Sequence, residues 1–320
     1  MAPDEAAYDP GRTGSWLVCT ACGTQFPTAD RREVTTCFIC DDPRQFTPPT
    51  GQAFTSLDEL RASGHRNVWT PFPDDGRFVS VRTEPKVAIG QRAILVKTPY
   101  GNVLWDCLTL LDDDTITAIR RIGGLAAIVI SHPHYYSTHV EWARAFGCPV
   151  YLAAEDRQWT TQESAYQVFV AETELSLLLG AEASPSGFTV LKLGGHFPGS
   201  LVALYDGRLL IADTLLTTPA GLGSWDADAT GAARAGRPAG LNTYAFMWSI
   251  PNMIPLAPDE LSRMWGILRK YEFGSTHGAF PGMDIAKTPS EMRRRVLDSM
   301  QIQVRSMGYS THALLKEAAN

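Results

Sequence analysis

Three of the chain's seven histidines fall within eight residues, in Ser131-His132-Pro133-His134-Tyr135-Tyr136-Ser137-Thr138-His139, directly after the apolar run Leu125-Ala126-Ala127-Ile128-Val129-Ile130. A buried strand ending in clustered imidazoles brings neutral nitrogen donors to one point at a sheet edge, a common way of holding a metal ion. A second set of donors lies near the N-terminus: Cys19-Thr20-Ala21-Cys22 and Cys37-Phe38-Ile39-Cys40, separated by fourteen residues. Each C-x-x-C can wrap a tight turn around a tetrahedral ion, and Gly23 eases the first turn. The spacing falls just short of the ribbon range of about 15 to 20 residues. We expect a structural Zn²⁺ on Cys19, Cys22, Cys37 and Cys40, because a unit of about 30 residues has too little core to hold without one. A pair of redox dithiols is the alternative, and no thioredoxin-like strand-helix context accompanies it. Cys107 and Cys148 adjoin apolar segments and read as inert core thiols.

The 320 residues leave room for one large domain with a small appendage, or for two medium ones. An apolar fraction of 44% with 19% charged residues is that of an ordinary globular protein. A net charge of -6 argues against a general polyanion-binding surface. The basic run Arg293-Arg294-Arg295 reads as a solvated helix face. The first fourteen residues lack the build of a signal peptide, and no apolar stretch approaches the roughly 20 residues of a membrane span. The expectation is a cytoplasmic protein acting on a small molecule, with neither nucleic acid nor membrane as partner.

Positioning these donors requires a layered α/β arrangement. Residues 1–14 read as a disordered tail, 15–46 as the cysteine module, 47–74 as a linker with a short helix at Ser56-Leu57-Asp58-Glu59-Leu60, and 75–320 as the main domain. Strands are expected at 77–81 and 87–89, then a hairpin from 93–97 and 103–107. A helix over 112–124 feeds the strand 125–130, and a helix over 140–146 ends at Gly147 before the strand 149–152. Residues 171–179 read as helix, 188–193 as a strand, and 201–205 with 208–212 as a hairpin around Asp206-Gly207. The Gly-, Ala- and Pro-rich stretch 217–241 reads as a mobile loop. Residues 258–271 carry a helical apolar stripe, and the capping box Thr288-Pro289-Ser290-Glu291 opens a helix to about Met307. Tyr244, Phe246, Met247 and Trp248 read as core beneath the loop, with the wall of an apolar pocket as the alternative.

Taken in order, His132-x-His134, Gly194-Gly195-His196-Phe197-Pro198-Gly199-Ser200, Ile211-Ala212-Asp213-Thr214-Leu215 and Thr276-His277-Gly278 resemble the metal-binding loops of the metallo-β-lactamase superfamily. The resemblance covers about residues 75–285 and implies an αββα sandwich, here preceded by the small, zinc-ribbon-like module of four cysteines. It implies that His132, His134 and His196 hold a first metal, that Asp213 bridges two metals, and that His277 serves the second. The departures are at Tyr136 and Ser137, which stand where the pattern calls for aspartate and histidine. A phenol, with a pKa of about 10, is a poor ligand at neutral pH. His139, two positions further on, reads as the start of a helix or a residue behind the ligands, with swinging in to replace them as the alternative. One active-site ion rather than two is therefore expected, Zn²⁺ with Fe²⁺ as the alternative. The wording His-Pro-His-Tyr-Tyr-Ser-Thr-His-Val-Glu-Trp-Ala, with Trp248 to Leu256, resembles a functionally undefined subgroup whose members similarly carry a zinc-knuckle or rubredoxin-like module.

The resemblance implies a hydrolase of an ester, thioester or amide, in which the metal lowers the pKa of water to about 7. Asp213 would orient or deprotonate that water, and Tyr135 or Tyr136 would donate to the developing oxyanion. A second reading is oxidoreductase chemistry at one iron held by His132, His196 and Asp213. A third is a catalytically silent, metal-stabilised binding or scaffold protein. The substrate is not legible.

Overall fold

Alternating apolar residues build two sheets, and in the computed structural model, which describes residues 7–223, 226–235 and 240–319, those sheets pack face to face. The first has seven strands in chain order: β1 (Arg66–Pro71), β2 (Phe78–Glu84), β3 (Ala93–Thr98), β4 (Gly101–Trp105), β5 (Ala127–Val129), β6 (Val150–Ala153) and β7 (Gln167–Val170). It is antiparallel as far as β4 and parallel from β4 to β7. The second has six: β8 (Glu174–Leu179), β9 (Ser184–Lys192), β10 (Leu201–Tyr205), β11 (Arg208–Leu210), β12 (Ser275–His277) and β13 (Asp284–Ala286). Only β11 and β12 are parallel within it.

Side chains pointing between the sheets form one core, with Phe78, Ile94, Val96, Val103 and Trp105 from one side and Phe188, Val190, Leu201 and Ala203 from the other. Those pointing outward from the first sheet, such as Val81, Leu95, Leu104 and Ile128, are covered by α1 (Asp113–Arg121) and α2 (His139–Phe146). The outer face of the second sheet is covered by α3 (Pro258–Leu268) and α4 (Pro289–Ser306). These are the four layers of the expected αββα sandwich. The caps match too: Asp112 accepts from the Thr115 amide at 2.8 Å, and Thr288 accepts from the Glu291 amide with Pro289 in the first turn.

Several elements depart from expectation. Residues 174–179 are an edge strand, not helix, pairing with β9 through Glu174↔Leu191 and Leu175↔Val190. The Glu and Leu there favour a helix locally, but the buried positions Leu177 and Leu179 follow strand periodicity, and pairing overrides propensity. No strand forms at 87–89, among the described residues. Of the expected disordered tail, residues 1–6 lie outside the described residues, whereas Pro10–Thr13 is a helical turn whose buried Thr13 donates to Glu141 at 2.6 Å. Within 47–74, Phe54–Thr55 pairs with Val18–Cys19, the short helix Leu57–Ala62 is capped by Ser56 as expected, and Arg66–Pro71 is an edge strand of the main sheet. The stretch 217–241 contains the turn of helix Pro219–Leu222, and 224–225 and 236–239 lie outside the described residues. Tyr244 and Phe246 are core, as expected. Among the described residues no helix is long and apolar enough to cross a membrane.

Candidate metal centre

The donors gather where strands end. The parallel register Trp105↔Val129 sets Asp106, just past β4, beside the chain leaving β5, and its Oδ1 accepts from the Ser131 amide at 2.8 Å. That bond fixes the start of the turn carrying His132 and His134. Asp106 adopts a left-handed φ of 61°, and burial pushes its carboxyl up to about 7. Sequence reasoning misses it. The available signal is an acidic residue closing the apolar strand Val103-Leu104-Trp105.

His196 arrives from the other sheet, on the turn between β9 and β10. Gly194 and Gly195 before it have φ of 62° and 93°, and a Cβ on Gly195 would lie 2.5 Å from Thr214 Oγ1. The close approach lets Thr214 accept from the His196 amide at 3.2 Å and donate to the Gly194 carbonyl. Asp213 precedes Thr214, just past β11.

His132, His134, His196 and Asp213 each offer one atom to a cluster whose donors lie within 4.8 Å of one another, and all four are buried. His134 Nδ1 and His196 Nε2 are 3.2 Å apart, and His132 Nε2 lies 3.4 Å from Asp213 Oδ2. The edge of a tetrahedron of metal–nitrogen bonds is about 3.3 Å. His196 Nδ1 donates to the Trp248 carbonyl at 2.9 Å, leaving Nε2 as a lone pair aimed at the cluster. His132 Nε2 is buried and finds no hydrogen-bond partner among the described residues. Burial holds His134 near 4 and His196 well below the usual imidazole range, so both stay neutral. Burial opposes ionisation of Asp213, but the imidazoles of His132, His134 and His196 hold its carboxyl well below the usual range. Three imidazoles and a carboxylate, desolvated together, are a donor set that fits a divalent metal ion.

The remaining expected residues part company. Tyr135 is fully buried and its hydroxyl donates to Asp213 Oδ1 at 2.9 Å, so it is not free for an oxyanion. It positions the carboxylate. Tyr136 turns away and donates to the Asp156 carbonyl at 3.4 Å. His139 does not swing in: Nδ1 engages the Tyr136 carbonyl and Nε2 the Gln167 amide nitrogen, each at 2.8 Å, at the buried start of α2. His277 stands outside the cluster, bonded to Asp284 at 3.0 Å and Ser275 at 2.9 Å. The register Leu210↔His277 explains this, since it places the residues level with Ala212 and Asp213 at 279 and 280, and those are Ala279 and Phe280. Both join the apolar cluster that includes Tyr135 and Tyr136. Among the described residues the groups of three or more His, Cys, Asp or Glu placed to hold a metal are this cluster and the four cysteines.

Cys19, Cys22, Cys37 and Cys40 form the second set, with Sγ separations of 3.7 Å for Cys19 and Cys40 and 3.8 Å for Cys22 and Cys37. A tetrahedral site with metal–sulfur bonds of about 2.3 Å has edges of about 3.8 Å. Hydrogen bonds among the four thiols lower Cys19 while they and burial raise Cys22 and Cys40. This module is seated on the histidine loop. The Gln25 amide donates to the Ser137 carbonyl at 3.2 Å, and Arg44 donates to the His196 carbonyl at 3.2 Å. The Arg44 guanidinium also lies 3.9 Å over the Phe197 ring, with Trp159 and Trp248 at 5.3 and 5.8 Å. Nothing in the local sequence marks Arg44, because its role is a product of folding.

No family model matches the chain. It is similar to the uncharacterized protein YmaE of Bacillus subtilis (strain 168), 34% identical over 273 residues, which covers 83% of this chain and 88% of that one. Among solved structures it is similar to the DIM-1 metallo-β-lactamase, at 12% identity and a TM-score of 0.47, covering 74% of this chain and 97% of that one. A mutant of a flavo di-iron protein from Thermotoga maritima aligns at 13% identity and a TM-score of 0.46, covering 74% and 62%. At such identities no residue role passes from those structures to this chain.

Proposed function

The chain belongs to the family of the Bacillus subtilis protein YmaE, and we propose that it is a hydrolase of an ester, thioester or amide working with one metal ion, Zn²⁺, at the His132, His134, His196 and Asp213 cluster. The observation that carries this reading is the convergence of four buried donors on one point, with His277 held apart from them by Asp284 and Ser275. The ion, when bound, supplies a Lewis acid and acidifies water to a pKa of about 7.

The chain's own residues supply the rest. Tyr135 occupies Asp213 Oδ1, which leaves Oδ2 facing the imidazoles as the acceptor for a proton from water. Asp213 Oδ2 is 4.0 Å from His134 Nδ1 and 3.9 Å from His196 Nε2, further than those nitrogens are from each other. The Trp248 carbonyl and the Ser131 hydroxyl, 2.9 Å from His132 Nδ1, hold two of the rings in place.

One observation favours a non-catalytic reading. Four protein donors, none more than 7% exposed, is also the composition of a closed structural site. The two separate on a panel of acyl esters, thioesters and lactams offered to protein with a measured zinc complement. Turnover that disappears in Asp213→Asn supports hydrolysis, and a full zinc complement with no turnover across the panel supports the structural role. Iron retained after anaerobic purification, with no zinc, would instead select the oxidoreductase alternative.

A further inference from the structure

In a sandwich the space between the sheets is filled by interdigitating apolar side chains. Between the edge strands this rule lapses, and a cavity of about 390 Å³ opens there, sharing no residue with the histidine cluster. The inward face of β2 runs Phe78, Ser80, Arg82, so polar residues succeed the phenylalanine on the core side. Across the gap stand Arg208 at the start of β11, His277 at the end of β12 and Asp284 at the start of β13, with Arg92 beside them. Ser80, Arg92 and His277 are each 4% exposed or less. The Ser80 hydroxyl is buried with no hydrogen-bond partner among the described residues, a cost that packing alone does not explain.

The charges here are sorted by depth. The Arg208 side chain is 15% exposed while that of Asp74, bonded to it at 2.8 Å, is 59% exposed. Arg92 is 3% exposed while its partner Asp284 is 36% exposed. Arg92 and Arg208 are thus held more deeply than Asp284 and Asp74, where water weakens the pairs, while Asp75, its side chain 14% exposed, lies 3.8 Å from Arg208. The remaining wall is apolar, with Phe72, Pro281 and Ile285.

We propose that this cavity is a binding site for a small organic acid. The acid's carboxylate replaces the exposed Asp74 on Arg208, the Ser80 hydroxyl gives it a second donor, and its apolar body lies against Phe72 and Pro281. Arg is suited to that exchange because its planar fork matches a carboxylate. The site is independent of whatever reaction the metal centre performs.

The test uses the full chain with both metal sites loaded, benzoate as the probe and benzyl alcohol as its uncharged counterpart, followed by calorimetry. Saturable binding of one benzoate per chain is expected, about tenfold or more tighter than benzyl alcohol. Asp74→Asn, a substitution at an exposed side chain, should tighten benzoate binding, and Ser80→Leu, which fills the cavity, should abolish it with metal content unchanged. Arg208→Gln should weaken binding about tenfold. Absence of saturable binding, equal affinity for benzyl alcohol, or no change in both Asp74→Asn and Ser80→Leu overturns the proposal. So does binding that survives Ser80→Leu and vanishes in His196→Ala, because the carboxylate would then be sitting on the metal centre.

Discussion

Arg44, which follows the last cysteine of the N-terminal module, donates to the main-chain carbonyl of His196 at 3.2 Å and covers the neighbouring Phe197 ring at 3.9 Å. Arg44 is itself held by Asp42 at 2.7 Å, and the carbonyl of Pro43 accepts from Asn252 at 2.7 Å. The two metal-competent clusters are therefore joined through a few bonds. Arg44→Met should weaken metal binding at the histidine cluster about tenfold, in the range of other outer-shell losses, and leave the cysteine site intact. Cobalt titration separates the two, because thiolate ligation gives intense charge-transfer bands and imidazole ligation does not. Equal affinity in the variant would show that the contact is incidental.

The cysteine module has little apolar core of its own, with Leu17, Phe26 and Ile39 its main buried side chains besides the thiols. Its order should depend on metal. Cys37→Ser should release one metal equivalent and expose the Gln25 and Cys19 amides, read as faster hydrogen exchange confined to that segment and its contacts. Unaltered protection there would mean that docking on the main domain suffices.

Tyr135→Phe removes the donor to Asp213 Oδ1 and leaves the carboxylate free to turn. A fall of about 10- to 100-fold in metal affinity or turnover is expected, with the fold retained because the ring still packs. Tyr136→Phe removes a 3.4 Å bond to a carbonyl away from the cluster and should change either quantity little. Equal effects of the two substitutions would contradict the division of roles.

His139 is buried, and burial holds it near 4, against about 6.5 in an unfolded chain. Below pH 6.5 the unfolded chain takes up a proton that the folded one refuses, so stability is full above that pH and falls as pH drops. The loss reaches about 3 kcal/mol by pH 4. His139→Gln should flatten the denaturation midpoint across pH 6.5 to 4 relative to the parent chain. Parallel profiles would place the acid lability elsewhere.

What is legible in the sequence divides along physical lines. The layered α/β order and the hairpins follow from strand periodicity, a local property, whereas the αββα sandwich and the grouping of His132, His134, His196 and Asp213 are what the resemblance of four ordered loops implies. His277 is misplaced by its motif because only the pairing of β12 with β11 reveals that the residues level with Ala212 and Asp213 are Ala279 and Phe280. His139 stays open in the sequence because its partners, the Tyr136 carbonyl and Gln167, include one from a different strand. The helix expected at 171–179 yields to edge pairing, and Arg44 and Asp106 act through contacts that no local pattern displays.

The proposed function requires one ion at the histidine cluster beside one in the cysteine module. Metal analysis of the purified chain and of two variants tests it most directly. We predict two ions per chain, one after Cys37→Ser, which should lose the thiolate-bound ion, and one after His196→Ala, which should lose the other. A third ion in the parent chain, or an unchanged metal content after His196→Ala, would contradict it.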